Sequence, residues 1–323
     1  MTVAILGCGL IGTRRAKAFG FSRLNACADV NLDRANELAG QAANCIATSD
    51  WRKAVAAPGV QIVVAATPHN LLAEITRTTL DAGKHVLVEK PGARAAHEIR
   101  DPQTAKGPVA RVGFNLRYHR AFRKARELVD AGELGPLMFL RIRYGHGGRL
   151  SYEKEWRARP ELSGGGELID QGVHAIDLVC WFLGEFKEVD GFAHTYFWDM
   201  PVDDNAFLRL RTASRQCAFI HVSCTKWKNT FSFELYGRTG KHQVDGLGGS
   251  YGVERLTFQR MLPQMGPPET TAWEYPMADD SWEMETAEFL EDIHLGRKPA
   301  SGLAAALEIV ENIYRKSSFD HHA

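Results

Sequence analysis

The sequence predicts an α/β protein in two parts: a parallel, doubly wound sheet first, then a region of mainly antiparallel strands. Three observations predict it. Apolar, strand-length runs alternate with helix-length stretches up to about Val88. Beyond about Arg120 the pattern changes to period-two alternation. The chain's 323 residues also exceed what one compact core usually holds.

The elements follow in order. Val3–Leu6 is a short apolar strand that runs into glycines, and Thr13–Phe21 follows at helical spacing. Leu24–Ala28 is the second strand and ends at Asp29. Leu32–Ala39 is a helix with Arg34 and Glu37 on its wet side. Gln61–Ala66 carries few polar residues, as expected of a strand covered by helices on both faces. Leu71–Ala82 is helical and stops at Gly83; His85–Val88 is the next strand. This βαβα succession argues for parallel pairing. In the second part, Met138–Tyr144, Asn205–Thr212, Gln216–Trp227 and Phe231–Gly237 alternate. Ala218, Ile220, Val222 and Cys224 share one face of the third, with His221, Ser223 and Thr225 on the other. Such alternation suits antiparallel strands with one buried face, the other being wet or covered by an oligomer. Ser281–Leu295 and Ala304–Lys316 read as helices.

Composition excludes several functions. Lys+Arg and Asp+Glu both number 39, so the basic excess of a nucleic-acid or membrane-surface binder is missing. No apolar run approaches the ~20 residues that span a bilayer. The first residues read as a strand with no charged leader, so export is not expected. Cys8, Cys27, Cys45, Cys180, Cys217 and Cys224 form no CxxC pair, which points to reduced thiols, a cytoplasmic location and no metal site. His321-His322 reads as a frayed terminus.

Four motifs carry chemistry. Gly7, Gly9 and Gly12 form a GxGxxG with Leu10 and Ile11, between a strand and a helix, the context a dinucleotide site requires. The first glycine permits the turn, the second admits the pyrophosphate, and the third lets helix and strand pack closely. Asp29 lies 29 − 7 = 22 residues beyond Gly7, where an acidic residue accepts the adenosine ribose hydroxyls. A carboxylate there repels a 2′-phosphate, so NAD is favoured over NADP; a turn or helix-capping aspartate is the alternative. Thr67, Pro68 and His69 follow the Gln61–Ala66 strand at the carboxyl edge where ligands bind, or form a simple turn and helix cap. Glu89-Lys90-Pro91 ends the next strand on the same edge. Lys90 there can stabilise a developing alkoxide, though most lysines are simply solvated.

The last motif runs from Gly164 to Leu178. Ile169, Val173, Ile176, Cys180 and Leu183 form an apolar helical stripe, with Asp170 and His174 at i and i+4 on the adjacent face. A neutral imidazole can take a hydroxyl proton while a carboxylate orients it; a surface Asp–His pair is the plain alternative. Arg111, Arg117, Arg120, Arg123, Lys124 and Arg126 read as a solvated helix face, with Arg117 and Tyr118 able to reach a cleft. Trp156 and Arg157 suit either substrate contact or packing.

Taken together, Gly7–Gly12, Asp29, Thr67-Pro68, Gly83–Pro91, Val112–Asn115 and Gly164–Leu178 make the chain resemble the Gfo/Idh/MocA oxidoreductases, the group of glucose–fructose oxidoreductase and the inositol dehydrogenases. The resemblance covers nearly the whole chain. It implies a Rossmann domain over 1–118 and an α/β domain over 119–323 with a large, mainly antiparallel open sheet. In the family that open face makes dimers or tetramers, and the C-terminal helix is expected to pack back on the first domain. The resemblance also implies Lys90, Asp170 and His174 as the catalytic set and a cis Lys90–Pro91 bond. Glu89 and Lys90 join the cofactor residues, and Asn115, Arg117, Tyr118, Trp156 and Arg157 the substrate residues. The implied reaction is hydride transfer between NAD and a secondary hydroxyl of a sugar, nucleotide sugar or cyclitol. Two departures stand out. Leu72 occupies a position where the family often has histidine, and the helix between Pro91 and Gly113 is shortened, with Asp101-Pro102 interrupting it. A nicotinamide-responsive regulatory protein and a closed-cycle oxidoreductase with tightly held cofactor are the other expectations; retention of Lys90, Asp170 and His174 argues against the regulator.

Overall fold

The computed structural model describes residues 1–98, 107–297 and 303–317. Asp101-Pro102 and the His321-His322 terminus lie outside the described residues. The chain forms two compact units, the first drawn from Met1–Phe114 and Trp282–Leu303, the second from Asn115–Ser281 and the chain beyond Ala304.

In the first unit, strands β1 (Val3–Leu6), β2 (Leu24–Ala28), β3 (Ile46–Thr48), β4 (Ile62–Ala65), β5 (His85–Glu89) and β6 (Ala110–Gly113) make one parallel sheet. Its order is β3-β2-β1-β4-β5-β6, the doubly wound arrangement that reverses direction between β1 and β4. Every residue of β1 and β4 is buried, which explains their unbroken apolar sequence. Helices α1 (Leu10–Phe19), α2 (Leu32–Ala39), α3 (Trp51–Ala56) and α4 (His69–Asp81) connect the strands. The α1 helix begins three residues before the periodicity predicts, because the glycine turn itself bends into it. The Asn31 side chain accepts the Asp33 N–H and starts α2.

The second unit opens with a 3-10 turn, Asn115–Tyr118, and α5 (Arg120–Asp130), followed by β7 (Leu137–Gly145) and a short helix, α6 (Pro160–Ser163). A π-helix, Leu168–Gly172, then runs directly into α7 (Val173–Leu183). Strands β8 (Phe186–His194), β9 (Asn205–Thr212), β10 (Cys217–Ser223), β11 (Thr230–Gly237), β12 (Gly240–Asp245), β13 (Glu254–Arg260) and β14 (Glu269–Tyr275) complete an eight-stranded sheet with β7. Its order is β14-β13-β12-β11-β7-β10-β9-β8, antiparallel except for β7 beside β10. Ala218, Ile220 and Val222 of β10 face the core, while Phe219 on the opposite face stays 48% exposed. Helix α8 (Ser281–Leu295) belongs mostly to the first unit, where Phe289 joins Val3, Ile5, Ile62 and Leu87 in the core. Helix α9 (Leu303–Lys316) follows.

Three expectations change. The strand predicted over Gln216–Trp227 stops at Ser223, and Trp227 adopts a left-handed backbone at φ 61°. The Arg111–Arg126 cluster is not one solvated helix face. Arg111 lies on β6, buried and paired with Glu288 and Asp292 of α8, and Arg117 precedes α5 and pairs with Asp177. The helix bearing Asp170 and His174 is not a single α-helix, because its first turns are π-helical. Among the described residues no helix is long and apolar enough to cross a membrane.

Candidate active site

The glycine turn between β1 and α1 lies at the carboxyl end of the sheet, beside the point where strand order reverses. The Gly12 position is closed to any side chain, since a Cβ would fall 1.8 Å from the Gly7 carbonyl oxygen. At Gly9 a Cβ would meet nothing within 4 Å, and no side chain caps α1. The turn is therefore tight where helix meets strand and open where an anion would approach the first N–H groups of the helix. Asp29, at the end of β2, accepts the Cys8 N–H at 2.8 Å and the Asn31 N–H at 2.9 Å, so its carboxylate is oriented from inside the turn. These features fit a dinucleotide: Gly7–Gly12 for the pyrophosphate and Asp29 for the ribose. Leu10 is exposed and Ile11 half-buried. Thr67 and Pro68 leave β4 on the same edge, Pro68 standing at the N-cap of α4 and His69 buried in its first turn.

The β5 strand ends at Glu89, and the Lys90–Pro91 peptide bond is cis. The Glu89 carboxylate is committed to Arg15, whose Nε lies 2.6 Å away. Arg15 is wholly buried, also binds Glu285 at 2.6 Å and stacks its guanidinium 4.4 Å from the Trp282 ring. Burial raises the Glu285 carboxyl while Arg15 opposes the shift. The glutamate of the Glu-Lys-Pro run thus anchors the strand end from which half-buried Lys90 departs.

In the second unit Asp170 and His174 are both buried, on the π-helix and the first turn of α7. The π-helix widens the turn through i→i+5 bonding, a feature frequent at functional sites. Arg157 donates through Nε to Asp170 at 3.0 Å, stacks 4.6 Å over the Trp156 ring and lies 3.6 Å from Glu155. The structure therefore brings the expected Trp156, Arg157 and Asp170 together, with His174 four residues on in the first turn of α7. The Tyr144 ring stands edge-on to His174 at 6.4 Å. Burial, then the charges of Tyr251, Glu167 and Asp170, push the Tyr144 hydroxyl well above its ordinary value, so it stays a hydrogen-bonding group. Arg117 grips Asp177 of α7 through Nε at 2.7 Å and through Nη2. Burial raises the Asp177 carboxyl while Arg117 lowers it. Asn115 donates to Ser281 Oγ at 3.0 Å, and Tyr118 is buried under the Arg123 guanidinium.

Sequence reasoning missed the residues that fix this helix in place. Asp203, fully buried between β8 and β9, accepts the N–H groups of Gly166 (2.9 Å) and Leu168 (2.8 Å) and the Tyr314 hydroxyl (2.8 Å). Burial raises its carboxyl to about 6 against the pull of those donors. Glu167 faces His146, whose Nδ1 accepts the Gly148 N–H and so leaves the proton on Nε2, 3.6 Å from the carboxylate. Asp203 opens the polar run Asp203-Asp204-Asn205, which has the composition of a turn; nothing in those three residues signals burial.

Comparison with known proteins agrees with this fold. Residues 1–109 match the model of an oxidoreductase family with an NAD-binding Rossmann fold, and residues 122–243 that of the GFO/IDH/MocA C-terminal domain. A levoglucosan dehydrogenase of Pseudarthrobacter phenanthrenivorans is 28% identical over 62% of this chain and 56% of its own length. The D-glucoside 3-dehydrogenase of Escherichia coli is 30% identical over 57% of this chain and 54% of its own. The chain thus aligns with little more than half the length of these curated relatives. A solved levoglucosan dehydrogenase in complex with NADH superposes with a TM-score of 0.85 at 22% identity, covering 99% of this chain and 97% of that one, which shows the shared fold. The chain belongs to the Gfo/Idh/MocA oxidoreductase family.

Proposed function

We propose that this protein is an NAD-dependent dehydrogenase that oxidises a secondary hydroxyl of a polyhydroxylated small molecule, such as a sugar, nucleotide sugar or cyclitol, or runs the reverse reduction. The observation that carries this is the buried Asp170–His174 pair on one helix, with Arg157 on the Asp170 carboxylate. His174 takes the hydroxyl proton during oxidation and returns it during reduction. Asp170 orients the acid–base group, and Lys90 holds the reacting oxygen and stabilises its developing charge. A nicotinamide dinucleotide, when bound, would supply or accept the hydride. Gly7–Gly12 and Asp29 would hold the dinucleotide, with Asp29 disfavouring a 2′-phosphate. The relatives named for sugar and glucoside oxidation support the substrate class. The open sheet face, with Phe219 and Phe192 about half exposed, suits docking of a second copy into a dimer or tetramer.

The test is nicotinamide reduction with NAD and separately NADP across inositols, free sugars, uronates and nucleotide sugars. Turnover with NAD is expected, and Lys90→Met should lower kcat about a hundredfold or more. A Lys90→Met enzyme with wild-type turnover would overturn the catalytic assignment. Tenfold tighter binding of NADP would overturn the role given to Asp29.

A further inference from the structure

A helix leaves its first N–H groups without intrahelical partners. At the segment carrying Asp170 and His174, three of these groups are taken by one small cluster. Gly166 N–H goes to Asp203 Oδ1 at 2.9 Å and lies 3.1 Å from the Tyr314 hydroxyl. Glu167 N–H goes to the Asp203 main-chain carbonyl at 2.9 Å, and Leu168 N–H to Asp203 Oδ2 at 2.8 Å. The Tyr314 hydroxyl itself donates to Asp203 Oδ1 at 2.8 Å. Asp170 N–H is the first to find a helical acceptor, the Gly166 carbonyl at 3.0 Å. The glycines make room for the cluster: a Cβ on Gly166 would lie 1.9 Å from the Asp203 carbonyl oxygen, and one on Gly165 would lie 2.2 Å from the Tyr314 hydroxyl.

From this geometry we infer that Asp203 and Tyr314 are positioning residues for the acid–base pair, holding the helix start and through it the attitude of the Asp170 carboxylate and the His174 ring. The inference rests on the proposed catalytic role of Asp170 and His174. Its physical basis is the π-helix between the cluster and His174, whose i→i+5 bonding departs from the ordinary helical ladder. The direction in which Asp170 leaves the turn is then set by what grips the preceding residues. Catalysis is sensitive to such direction, because a misplacement of 1 Å can cost about a hundredfold in rate.

Two variants test it. Asp203→Asn keeps the side-chain shape but turns an amide NH₂ toward a backbone N–H; Tyr314→Phe removes one hydroxyl and keeps the ring. On any compound the wild type oxidises, both should lower kcat about ten- to a hundredfold. The KM for NAD should stay within about twofold, because the cofactor-holding turn keeps all its contacts. The double variant should be little worse than Asp203→Asn alone, as expected of residues in one network. A second readout needs no turnover: the ¹⁵N signals of the His174 ring, assigned by their loss in His174→Gln, should shift in both variants. If those signals stay in place and kcat is unchanged while the thermal midpoint falls, the cluster is only structural and the inference is wrong. Should no compound be oxidised at all, the proposed function fails, and the His174 signals still decide the positioning role. If Asp203→Asn does not fold, Tyr314→Phe decides alone.

Discussion

Two glycine turns start two helices in this chain, and they treat the helix N-terminus in opposite ways. At Gly7–Gly12 no side chain caps α1, and open space lies over Gly9. With no side-chain cap in place, the first N–H groups of the helix are left for an anion from outside the chain. At Gly164–Gly166 the same groups are taken by the chain's own Asp203 and Tyr314. Gly9 serves access in the first case, between the closely packed Gly7 and Gly12, whereas Gly165 and Gly166 both serve close packing in the second. An open N-terminus is a place for a ligand to bind. A filled one has spent that capacity and becomes a fixed mount for the side chains that follow.

The largest expected effect breaks the filled turn. In Gly166→Ala the new methyl would lie 1.9 Å from the Asp203 carbonyl oxygen and 2.7 Å from its nitrogen, both backbone atoms that no rotamer change can move. Overpacking of this kind, together with lost hydrogen bonds to a buried carboxylate, should cost about 3–5 kcal/mol or prevent folding. Urea unfolding measures it. A loss under about 1 kcal/mol would show that the turn opens easily and that the contrast between the two turns is overstated.

The open turn should respond in the opposite sense. Gly9 has φ −77° and ψ −163°, a conformation alanine adopts without strain, and its Cβ would project into empty space. Gly9→Ala should therefore keep the wild-type melting temperature while weakening NAD binding at least about tenfold, or roughly 1.4 kcal/mol, as the methyl meets the pyrophosphate. Titration of the cofactor alongside a thermal melt separates the two quantities. Unchanged affinity would place the phosphates elsewhere; a lowered melting temperature would make Gly9 a structural glycine.

The same contrast explains what was legible in the sequence. The open turn is written locally: glycines at fixed offsets after an apolar strand, with Asp29 at the end of the next strand. Strands β1 and β4 were legible because burial on both faces leaves runs with no polar residue, and β2 and β5 because their apolar centres are buried despite Asn25, His85 and Glu89. The three-residue strand β3 and the six-residue α3 were not, since a short, partly exposed edge strand imposes no pattern. In the second unit the positions of Asp170 and His174 were legible, but the π-helix beneath Asp170 was not, because i→i+5 bonding leaves no separate apolar period. The cluster that fills the second turn is long-range: Tyr314 meets Gly166 from 148 residues away in sequence. The function of Glu89 is a related case. The Glu-Lys-Pro run showed where a strand ended, but only the fold shows that its glutamate is held by the buried Arg15.

The smallest expected effect uses pH to read the filled turn without a bulky change. Burial raises the Asp203 carboxyl from 3.8 to about 6 despite the donors from Leu168, Tyr314 and Gly166. A folded-state value above the unfolded one means that the folded chain binds more protons between about pH 4 and 6. The stability contributed by this group is therefore fully present below the unfolded value and falls as pH rises through the folded one. Across pH 5 to 6 the loss should be about 1 kcal/mol, which Asp203→Asn, having no proton to release, should not share. Urea midpoints of wild type and variant at pH 5, 6 and 7 give the comparison. If the two proteins change in parallel, the Asp203 carboxylate is already ionised at pH 5. The Tyr314 and backbone donors would then outweigh burial, leaving the cluster a pre-charged anion site filled from within, closer to the first turn than the burial of Asp203 implies.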